Sequence, residues 1–476
     1  MERRSVRLIL GGGIFEETAE GEAWYDRVVA VLVATAESRL ALAAGGDYDL
    51  LAASARMDQS RTLARFLARL LLLRPRKEFL QQTIDLWVDA QHEMLSRLRA
   101  DWAAILEWGR GSSPGGKVIQ IEGELSDRHD GGRSAAILTF EAGWKLVYKP
   151  RAMEADGWYS QLLAWLNASE APVSFLNPRV AVRDGYGWME FVAHQRCGSR
   201  EQFAEYYRNS GGLLCLLHLL RATDCHFQNL IACGVHPVLV DAEMLFQPSL
   251  QAFGAWTVTD TGLIPNFRFG PGGQTYDVSG LGFVRPQSTH FEVPEWNESG
   301  VEFRACRLRP NKNVPCIETE DLEDEEARPY FFAAEMEDGF LQMHRFVEQR
   351  QEAFLKQIEK ARKLRIRYLL RETMEYYAAW NGEAGASVSL GELQSSHQVF
   401  SELRAEELSA LRQLDVPRFA MAADSRDLHG IQDCFALSGH ELVCSGIREL
   451  GEQSLAQKIG QMRVAWAFSR IASSLA

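Results

Sequence analysis

The hydrophobic pattern changes period near residue 117, and this change constrains the fold more than any other feature of the sequence. Residues 20–110 carry apolar side chains at helical spacing, as in DQSRTLARFLARLLLL, and predict a helical N-terminal region. From Lys117 onwards apolar and polar residues alternate, which predicts β-strands. A chain whose helices and strands are separated in this way is typical of the α+β class.

The strand pattern comprises a first strand, KVIQIEGEL, and three hairpins that are separated by helices. The hairpins turn at residues 141–143, 184–185 and 234–236. The two intervening helices are predicted over residues 152–167 and 201–221.

Gly, Pro and polar residues dominate the stretch from 251 to 315, and helical patterns return from about residue 318. A loop that long inside a compact domain is usually functional or disordered. The sequence therefore divides into four parts: a helical N-terminal region (1–110), a strand-rich core (116–250), an irregular segment (251–315) and a helical C-terminal part (316–476).

Composition and charge exclude several classes of protein. The 476-residue chain has 51 Lys and Arg residues against 64 Asp and Glu residues, a net charge of −13 that argues against a general nucleic-acid or membrane-surface binder. The longest unbroken apolar run, Val28–Ala34, is far too short to span a bilayer. The eight cysteines are scattered without a CxxC pair, so we expect free thiols and a cytoplasmic location.

Residues 223–246 read TDCHFQNLIACGVHPVLVDAEMLF and place metal-binding and proton-transferring side chains at both ends of an apolar hairpin. These side chains belong to Asp224, His226, Asn229, Asp241 and Glu243. A nucleotide-dependent phosphotransferase needs a carboxylate at the acceptor hydroxyl, oxygen ligands for magnesium, and a lysine on the phosphates. The alternative is a set of hydrogen-bonded side chains that cap a hairpin.

The order of these residues favours the functional interpretation. Asp224 and Asn229 lie on a loop after a predicted helix, while Asp241 and Glu243 are two residues apart at a strand end and point the same way. Lys149 ends the strand WKLVYK, where a lysine that holds phosphates is expected. A role in capping a hairpin would account for any one of these residues alone. Their combination indicates a functional site.

A second D-x-H sequence, Asp127 and His129 in SDRHDGG, precedes the hairpin that carries Lys149. Its two glycines allow the backbone to approach a ligand closely. A plain turn before a strand is the alternative, because Gly-rich polar stretches mark turns more often than sites.

The stretch RIRYLLRETMEYY, residues 365–377, predicts a helix that carries Arg367 and Thr373. Guanidinium groups match the geometry of phosphate, so this helix is a candidate phosphate-binding element. A solvated basic helix face is the alternative.

Taken together, these motifs resemble the dehydratase domain of LanM-type (class II) lanthipeptide synthetases. The similarity begins near residue 60 and follows the order of the family's motifs: DRHDGGRSAAILTF, GWKLVYKPR, GYGWMEFV, ATDCHFQNLIA, LVDAEMLF, TGLIPNF, YDVSGLG, LRIRYLLRETMEYY and LDVPRFAMAADSRDL. The resemblance implies an α+β fold with a two-lobed core similar to eukaryotic lipid kinases, elaborated with many helices. Residues 251–315 correspond to the activation-loop region of the family.

The resemblance implies an enzyme that uses ATP and Mg²⁺ to phosphorylate Ser and Thr side chains of a ribosomally made precursor peptide. The enzyme then eliminates phosphate, which leaves dehydroalanine and dehydrobutyrine. The implied partners are a precursor peptide with its leader and other modification enzymes of the pathway, and neither nucleic acid nor a membrane is expected.

The family's functional residues match ten positions of this chain. The resemblance implies that Lys149 contacts the ATP phosphates, that Asn229 and Asp241 hold magnesium, and that Glu243 supports the magnesium site. It also implies that Asp224, with His226 beside it, orients or deprotonates the acceptor hydroxyl. Asp127 and His129 match positions implicated in activity near the phosphates, and Arg367 and Thr373 match positions that serve elimination.

LanM proteins continue into a zinc-dependent cyclase domain, and the Cys and His ligands of that domain are missing here. We therefore expect dehydration without thioether ring formation, by a stand-alone dehydratase or by an excised domain. Two other functions stay open: a kinase that stops at the phosphoester, and a non-catalytic peptide-binding partner. Arg367 and Thr373 favour a dehydratase over a kinase, and the nucleotide-site residues argue against a non-catalytic protein.

Overall fold

The structure of the chain is a computed structural model that describes residues 8–10, 13–15, 21–72, 77–108, 116–250, 256–266, 268–269, 275–282, 291–297, 300–306, 315, 329–371, 373, 376 and 403–475. The chain forms two compact units. The first consists of Met1–Pro150, His290–Arg307 and Leu369–Arg418, and the second of Arg151–Thr289, Leu308–Tyr368 and Phe419–Ala476.

Ten α-helices lie within the described residues: α1 (Gly21–Ala44), α2 (Ala53–Leu72), α3 (Lys77–Trp108), α4 (Glu154–Ala168), α5 (Arg200–Leu219), α6 (Ala333–Gln349), α7 (Gln351–Glu359), α8 (Arg404–Arg412), α9 (Gly439–Arg448) and α10 (Glu452–Leu475). Short 3₁₀ turns lie at Gly45–Leu50, Val258–Thr261 and Pro329–Phe332.

The strands of the described residues are short and pair antiparallel in small sheets. They are β1 (Leu8–Leu10), β2 (Gly13–Phe15), β3 (Val118–Glu122), β4 (Ala136–Phe140), β5 (Lys145–Lys149), β6 (Val180–Arg183), β7 (Tyr186–Glu190), β8 (Leu230–Cys233), β9 (His236–Leu239), β10 (Arg268–Phe269), β11 (Thr275–Tyr276), β12 (Phe291–Asn297), β13 (Gly300–Cys306), β14 (Arg365–Tyr368) and β15 (Phe419–Ala422). This mixture of helices and small sheets agrees with the predicted α+β class.

In the first unit, α1 packs against α2 and α3. Val28, Leu32, Ala36 and Leu40 recur every four residues along α1 and are buried, because this spacing keeps them on one side of a helix.

Residues Arg27–Leu50 are long and apolar enough, by length and composition, to cross a membrane. This stretch is longer than the unbroken run Val28–Ala34. Few polar residues follow that run, so the mean hydropathy of the whole stretch stays high. The core helix of a globular domain passes the same test. A signal sequence near the N-terminus passes it as well, and a third of this stretch is buried in the structure.

Strands β3, β4 and β5 form an antiparallel meander in the first unit, as the alternating pattern predicted. Leu138 of β4 lies opposite Ile121 on one side and Leu146 on the other, and all three side chains are buried. Gly143, with a φ of 84°, makes the turn that sends β5 back along β4. The meander therefore fixes the position of Lys149, the last residue of β5, within this unit.

The second unit contains the two remaining predicted hairpins, β6–β7 and β8–β9. Leu230 pairs with Leu239 and Cys233 with His236, so the apolar stretch of the 223–246 segment folds back on itself as predicted. Helix α5 precedes β8 and is capped by the side chain of Ser199, which accepts a hydrogen bond from the Gln202 backbone N–H. The predicted helices over 152–167 and 201–221 correspond to α4 and α5.

Two segments differ from their predicted structure. Residues 365–368 form strand β14, not a helix, because Ile366 and Tyr368 pair with Met421 and Phe419 of β15. β-branched and aromatic residues suit such a strand, and its distant partner cannot be read from local periodicity. Within residues 251–315, where little periodicity was expected, the described residues include the seven-residue strands β12 and β13.

Helices α5 and α6 approach each other closely at two glycines of the second unit. A Cβ atom on Gly339 would lie 1.8 Å from the Arg208 carbonyl oxygen, and one on Gly211 would lie 2.0 Å from the Met336 carbonyl oxygen. Neither obstacle is a flexible side chain, so only glycine allows this helix–helix distance.

We expect Gly339→Ala to destabilise the protein by about 1–3 kcal/mol, because the added methyl group forces the two helix backbones apart. Gly460→Ala in α10 is the matched control, since a Cβ atom there meets nothing within 4 Å. The control should be neutral or stabilising by up to about 1 kcal/mol. Thermal unfolding of both variants tests this, and an unaltered Gly339→Ala protein would contradict the close packing.

Candidate functional site

The loop that carries Asp224 runs from the end of α5 to the start of β8 and is held by backbone hydrogen bonds. The Thr223 N–H donates to the Met244 carbonyl at 3.0 Å, and the Cys225 N–H donates to the Thr261 carbonyl at 3.0 Å. The first bond ties the loop to the DAEMLF segment, and the second ties it to TGLIPNF. Two motifs that follow Asp224 in the sequence therefore hold its loop in place within the second unit.

Asp224 has a φ of 63°, in the left-handed region that favours glycine. A non-glycine residue held there stores strain of order 1–3 kcal/mol, and such residues cluster at functional sites. The side-chain amide of Asn229 supports this conformation, since its Nδ2 donates to the Asp224 carbonyl oxygen at 2.8 Å and approaches the carboxylate at 3.4 Å. The pair predicted from the sequence is thus in direct contact.

His226 lies beside Asp224, with 3.5 Å between its Nε2 and the Asp224 Oδ1. Its Nδ1 accepts a hydrogen bond from the Gln228 N–H at 3.2 Å. Because Nδ1 accepts, the proton of the neutral ring is on Nε2 and faces the Asp224 carboxylate. His226 is therefore in electrostatic contact with the Asp224 carboxylate, at a distance longer than that of a normal hydrogen bond.

Asp241 and Glu243 follow β9, and their carboxylates converge on one guanidinium group. Arg151 contacts Asp241 at 2.6 Å through Nη2 and Glu243 at 3.2 Å through Nε. Its other contact is with Asp156 of α4, at 2.6 Å through Nη1. Arg151 and its three partners form a network that the sequence reasoning did not anticipate.

Arg367 extends this network from β14. Its Nη1 contacts Glu243 Oε1 at 3.0 Å, so the two oxygens of Glu243 are shared between two guanidinium groups. The Arg367 N–H also donates to the Glu243 carbonyl at 2.8 Å. The side chain is buried, and no described residue accepts a hydrogen bond from its Nε. A buried guanidinium N–H of this kind suits an anionic ligand.

The cluster holds two more carboxylates than guanidinium groups: Asp156, Asp224, Asp241 and Glu243 against Arg151 and Arg367. Burial raises the pKa of Asp224, and the neighbouring carboxylates of Asp241 and Glu243 raise it further, while His226 and Arg367 oppose this. Burial works to lower the pKa of Arg367, but Glu243 outweighs it and keeps the group charged. The excess of negative charge suits a divalent cation.

The donor atoms also fit magnesium. The Nδ2 of Asn229 is engaged with Asp224, which directs the amide oxygen elsewhere and makes it available as a ligand. Within the described residues no three His, Cys, Asp or Glu side chains form a metal cage. Magnesium does not require one, since it is commonly bound through one or two carboxylates together with substrate phosphates. That Asn229 and Asp241 bind magnesium remains a prediction.

Four predicted site residues belong to the first unit. Lys149 is buried at the end of β5, Thr373 is half-buried, and Asp127 and His129 are half-buried on the loop before β4. The other six, Asp224, His226, Asn229, Asp241, Glu243 and Arg367, are the ones that the structure brings together in the second unit. That all ten form one site remains a prediction.

Arg151 and Asp156 were missed in the sequence, although a signal was present. Arg151 stands two residues after Lys149 in the motif GWKLVYKPR, so the same motif carries a second cation. Asp156 lies in the first turn of a predicted helix, a common place for a carboxylate that stabilises the helix. The contact of Arg151 with Asp241, 90 positions away, appears only in the folded chain.

A model of the family described as a domain of unknown function, DUF4135, matches residues 77–422. The chain belongs to this family, and the matched span contains all ten predicted site residues. The chain is also 21% identical over 389 residues to the lacticin 481/lactococcin biosynthesis protein LcnDR2 of Lactococcus lactis subsp. lactis. The aligned part covers 73% of this chain and 40% of that relative. The resemblance to the dehydratase region of LanM-type synthetases is confirmed by these matches.

We expect Arg151→Met to destabilise the protein by about 3–5 kcal/mol, because it leaves Asp156, Asp241 and Glu243 without their shared cation. The control is Arg208→Met, which breaks an exposed pair with Asp338 and should cost at most about 1 kcal/mol. Urea unfolding measures both values. Equal losses in the two variants would show that the Arg151 network contributes no more than a surface ion pair.

Asp224→Asn should leave the protein at least as stable as the wild type at neutral pH. Because the folded-state pKa of Asp224 is raised, the folded protein keeps this proton where the unfolded chain has lost it, and the wild type loses stability as pH rises through that interval. The amide of the variant does not ionise, so the variant does not lose stability in this way. Its advantage in unfolding free energy should therefore grow as pH rises from about 4. Urea unfolding at several pH values tests this, and a variant that is less stable at neutral pH would refute it.

Proposed function

We propose that the chain is an ATP-dependent dehydratase that acts on Ser and Thr residues of a ribosomally made precursor peptide. The observation that carries the proposal is the position of Arg367 in the cluster of Asp224, Asn229 and Asp241, joined to it through Glu243. Carboxylates and an amide oxygen suit phosphoryl transfer, and a buried arginine suits a departing phosphate. The name of the relative in lacticin 481/lactococcin biosynthesis supports a lanthipeptide-modifying role.

ATP and Mg²⁺ are the proposed cofactors. Asn229 and Asp241 would hold the metal, Glu243 would support the site, and Lys149 would contact the phosphates. Magnesium, when bound, neutralises the charge that develops on the phosphate oxygens. Arg151 keeps Asp241 and Glu243 close together in spite of their mutual repulsion.

In the phosphorylation step, the hydroxyl oxygen of a peptide Ser or Thr attacks the γ-phosphorus of ATP, and ADP leaves. Asp224 orients this hydroxyl and takes its proton. The raised pKa of Asp224 brings its proton affinity nearer to that of a general base at neutral pH. His226 lies beside this carboxylate, with its Nε2 at 3.5 Å from Oδ1.

In the elimination step, a base takes the Cα proton of the phosphorylated residue, a Cα–Cβ double bond forms, and the Cβ–O bond breaks. The phosphate leaves with the electron pair of that bond. Arg367 stabilises the charge on the departing phosphate, and Thr373 serves the same step. The products are dehydroalanine from Ser and dehydrobutyrine from Thr.

We also propose a catalytic core like that of lipid kinases, in which a β-meander carries the lysine and a later hairpin carries the metal ligands. Strands β3–β5 with Lys149, and β8–β9 with Asn229 and Asp241 at their ends, support this. A cytoplasmic location is proposed on the need for ATP, and the cysteines that the structure describes are free thiols.

The proposal is tested by co-expression with the precursor peptide whose gene lies nearest, followed by intact mass measurement. The wild type should remove one water for each modified residue. Arg367→Ala should instead leave phosphate on the peptide, because the leaving group loses its cation. Arg365→Ala is the matched control, since Arg365 lies on the same strand but is exposed; it should dehydrate the peptide normally.

Other outcomes distinguish the remaining functions. A peptide that gains phosphate with the wild-type protein would indicate a kinase that does not eliminate. Binding of ATP without any change in peptide mass, with a range of precursor peptides, would indicate a non-catalytic partner. Asp224→Asn should abolish both phosphate gain and water loss.

A further inference from the structure

The backbone of Arg367 is held at both of its polar groups by one short segment, residues 243–247, which follows β9 in the second unit. The Arg367 N–H donates to the Glu243 carbonyl at 2.8 Å. The Arg367 carbonyl accepts a hydrogen bond from the side-chain Nε2 of Gln247, also at 2.8 Å. The N–H and the carbonyl of a strand residue point to the same side, so both bonds lie on one edge of β14. Strand β15 pairs along the other edge.

Gln247 is itself held in place by the residue that follows α5 and its C-cap. Its N–H donates to the Arg221 carbonyl at 3.1 Å, and its carbonyl accepts a hydrogen bond from the Arg221 Nε at 2.8 Å. Gln247 is also buried, with 6% of the residue exposed. Because its backbone is bonded at both polar groups, its side chain is a fixed point for β14. The hydrogen bond from Gln247 to Arg367 is here called the Gln247 anchor.

The amide of Gln247 has one orientation that suits its neighbours. Its Nε2 donates to the Leu245 carbonyl at 3.3 Å as well as to the Arg367 carbonyl. A carbonyl oxygen only accepts hydrogen bonds, so the amide nitrogen and not the amide oxygen faces both of them. An apolar side chain of the same length would leave the Arg367 carbonyl without this donor.

Gln247 differs from Glu243, the other partner of the Arg367 backbone, in what else it contacts. The Glu243 carboxylate is shared between Arg367 and Arg151, so a change at Glu243 also disturbs the carboxylates around Arg151. Among the described residues, the Gln247 side chain donates to the carbonyls of Leu245 and Arg367 alone. A change at Gln247 is therefore expected to affect the arginine and to leave the acidic part of the cluster in place.

We propose that Gln247 is a positioning residue that holds Arg367 for the elimination step, an inference that rests on the proposed function. In that step a base of the enzyme takes the Cα proton of the phosphorylated residue. The electrons of the C–H bond form the Cα–Cβ double bond, and phosphate leaves with the electron pair of the Cβ–O bond. The Arg367 guanidinium stabilises the charge on the phosphate. Gln247 acts through this arginine and not on the substrate.

Hydrogen exchange at the Arg367 amide tests the anchor without any measurement of activity. Gln247→Met keeps the length of the side chain and removes its N–H donors. The Arg367 amide should then exchange about 5–10-fold faster than in the wild type, as expected for the loss of one hydrogen bond.

Gln351→Met is the matched control for this substitution. Gln351 also donates from Nε2 to a backbone carbonyl, that of Ile447, at 2.8 Å within the second unit. Its loss removes the same kind of bond between α7 and α9, and it should leave exchange at the Arg367 amide unchanged.

The role in elimination is tested with a chemically phosphorylated precursor peptide, which bypasses phosphorylation. Gln247→Met should slow elimination by about 10–100-fold, because a misplacement of about 1 Å can have an effect of this size. With ATP, Mg²⁺ and the unmodified peptide, the same variant should phosphorylate at close to the wild-type rate, so that phosphorylated peptide accumulates. Gln351→Met should dehydrate the peptide normally.

Two further variants separate positioning from a general loss of structure. Added to Arg367→Ala, Gln247→Met should cause no further loss of elimination, because Gln247 acts through that arginine. Gln247→Asn keeps the amide donors on a shorter side chain, so its elimination rate should lie between those of Gln247→Met and the wild type. It takes the place of Gln247→Met if that variant fails to fold.

The outcomes distinguish the anchor from the proposed function. Unchanged exchange at the Arg367 amide in a folded Gln247→Met protein overturns the anchor, whatever the enzyme does. Equal losses of phosphorylation and elimination, or a further loss in the double variant, overturn the positioning role. A wild-type protein that neither phosphorylates nor eliminates overturns the proposed function and the role in elimination together, while faster exchange in Gln247→Met would still establish the anchor.

Discussion

The guanidinium group of Arg151 holds together the acidic part of the candidate site. Its nitrogens contact Asp156 on α4 and Asp241 and Glu243 after β9, which come from separate parts of the sequence. Three carboxylates this close would repel one another strongly in a partly buried environment. Their shared cation also sets the position of Glu243, which in turn holds Arg367 on β14. The positions of Glu243 and Arg367 in the second unit's cluster therefore depend on this one side chain.

The cluster also retains features that cost stability. Asp224 has a left-handed backbone, its carboxylate carries a raised pKa, and the buried Nε of Arg367 has no hydrogen-bond acceptor among the described residues. Each departs from what a purely structural loop would adopt. Side chains that only cap a hairpin would instead have their hydrogen-bond donors paired and would carry no excess negative charge. The combination therefore favours a binding site for an anionic substrate and a cation over a structural cap.

The local pattern of the sequence predicted much of this architecture. The rest depends on pairing between residues that are far apart in the sequence. The hairpin β8–β9 and the contact of Asp224 with Asn229 follow from alternation and spacing within a few residues. The strand at Arg367 was expected to be helical, because its partner β15 lies some fifty residues further along the chain. The role of Arg151 was equally hidden, since it depends on carboxylates that only the folded chain brings near.

The pairing of β14 with β15 has a consequence for how the protein becomes active during synthesis. Arg367 lies opposite Ala420, so the ribosome must release more than 420 residues before the strand that carries Arg367 has its partner. The loop of Asp224 and the hairpin β8–β9 can form much earlier, from residues that lie together in sequence. In a nascent chain, the hairpin next to Asp224 therefore has its own pairing partners before the strand of Arg367 has its partner, and the cluster is complete only after this late segment has been synthesised.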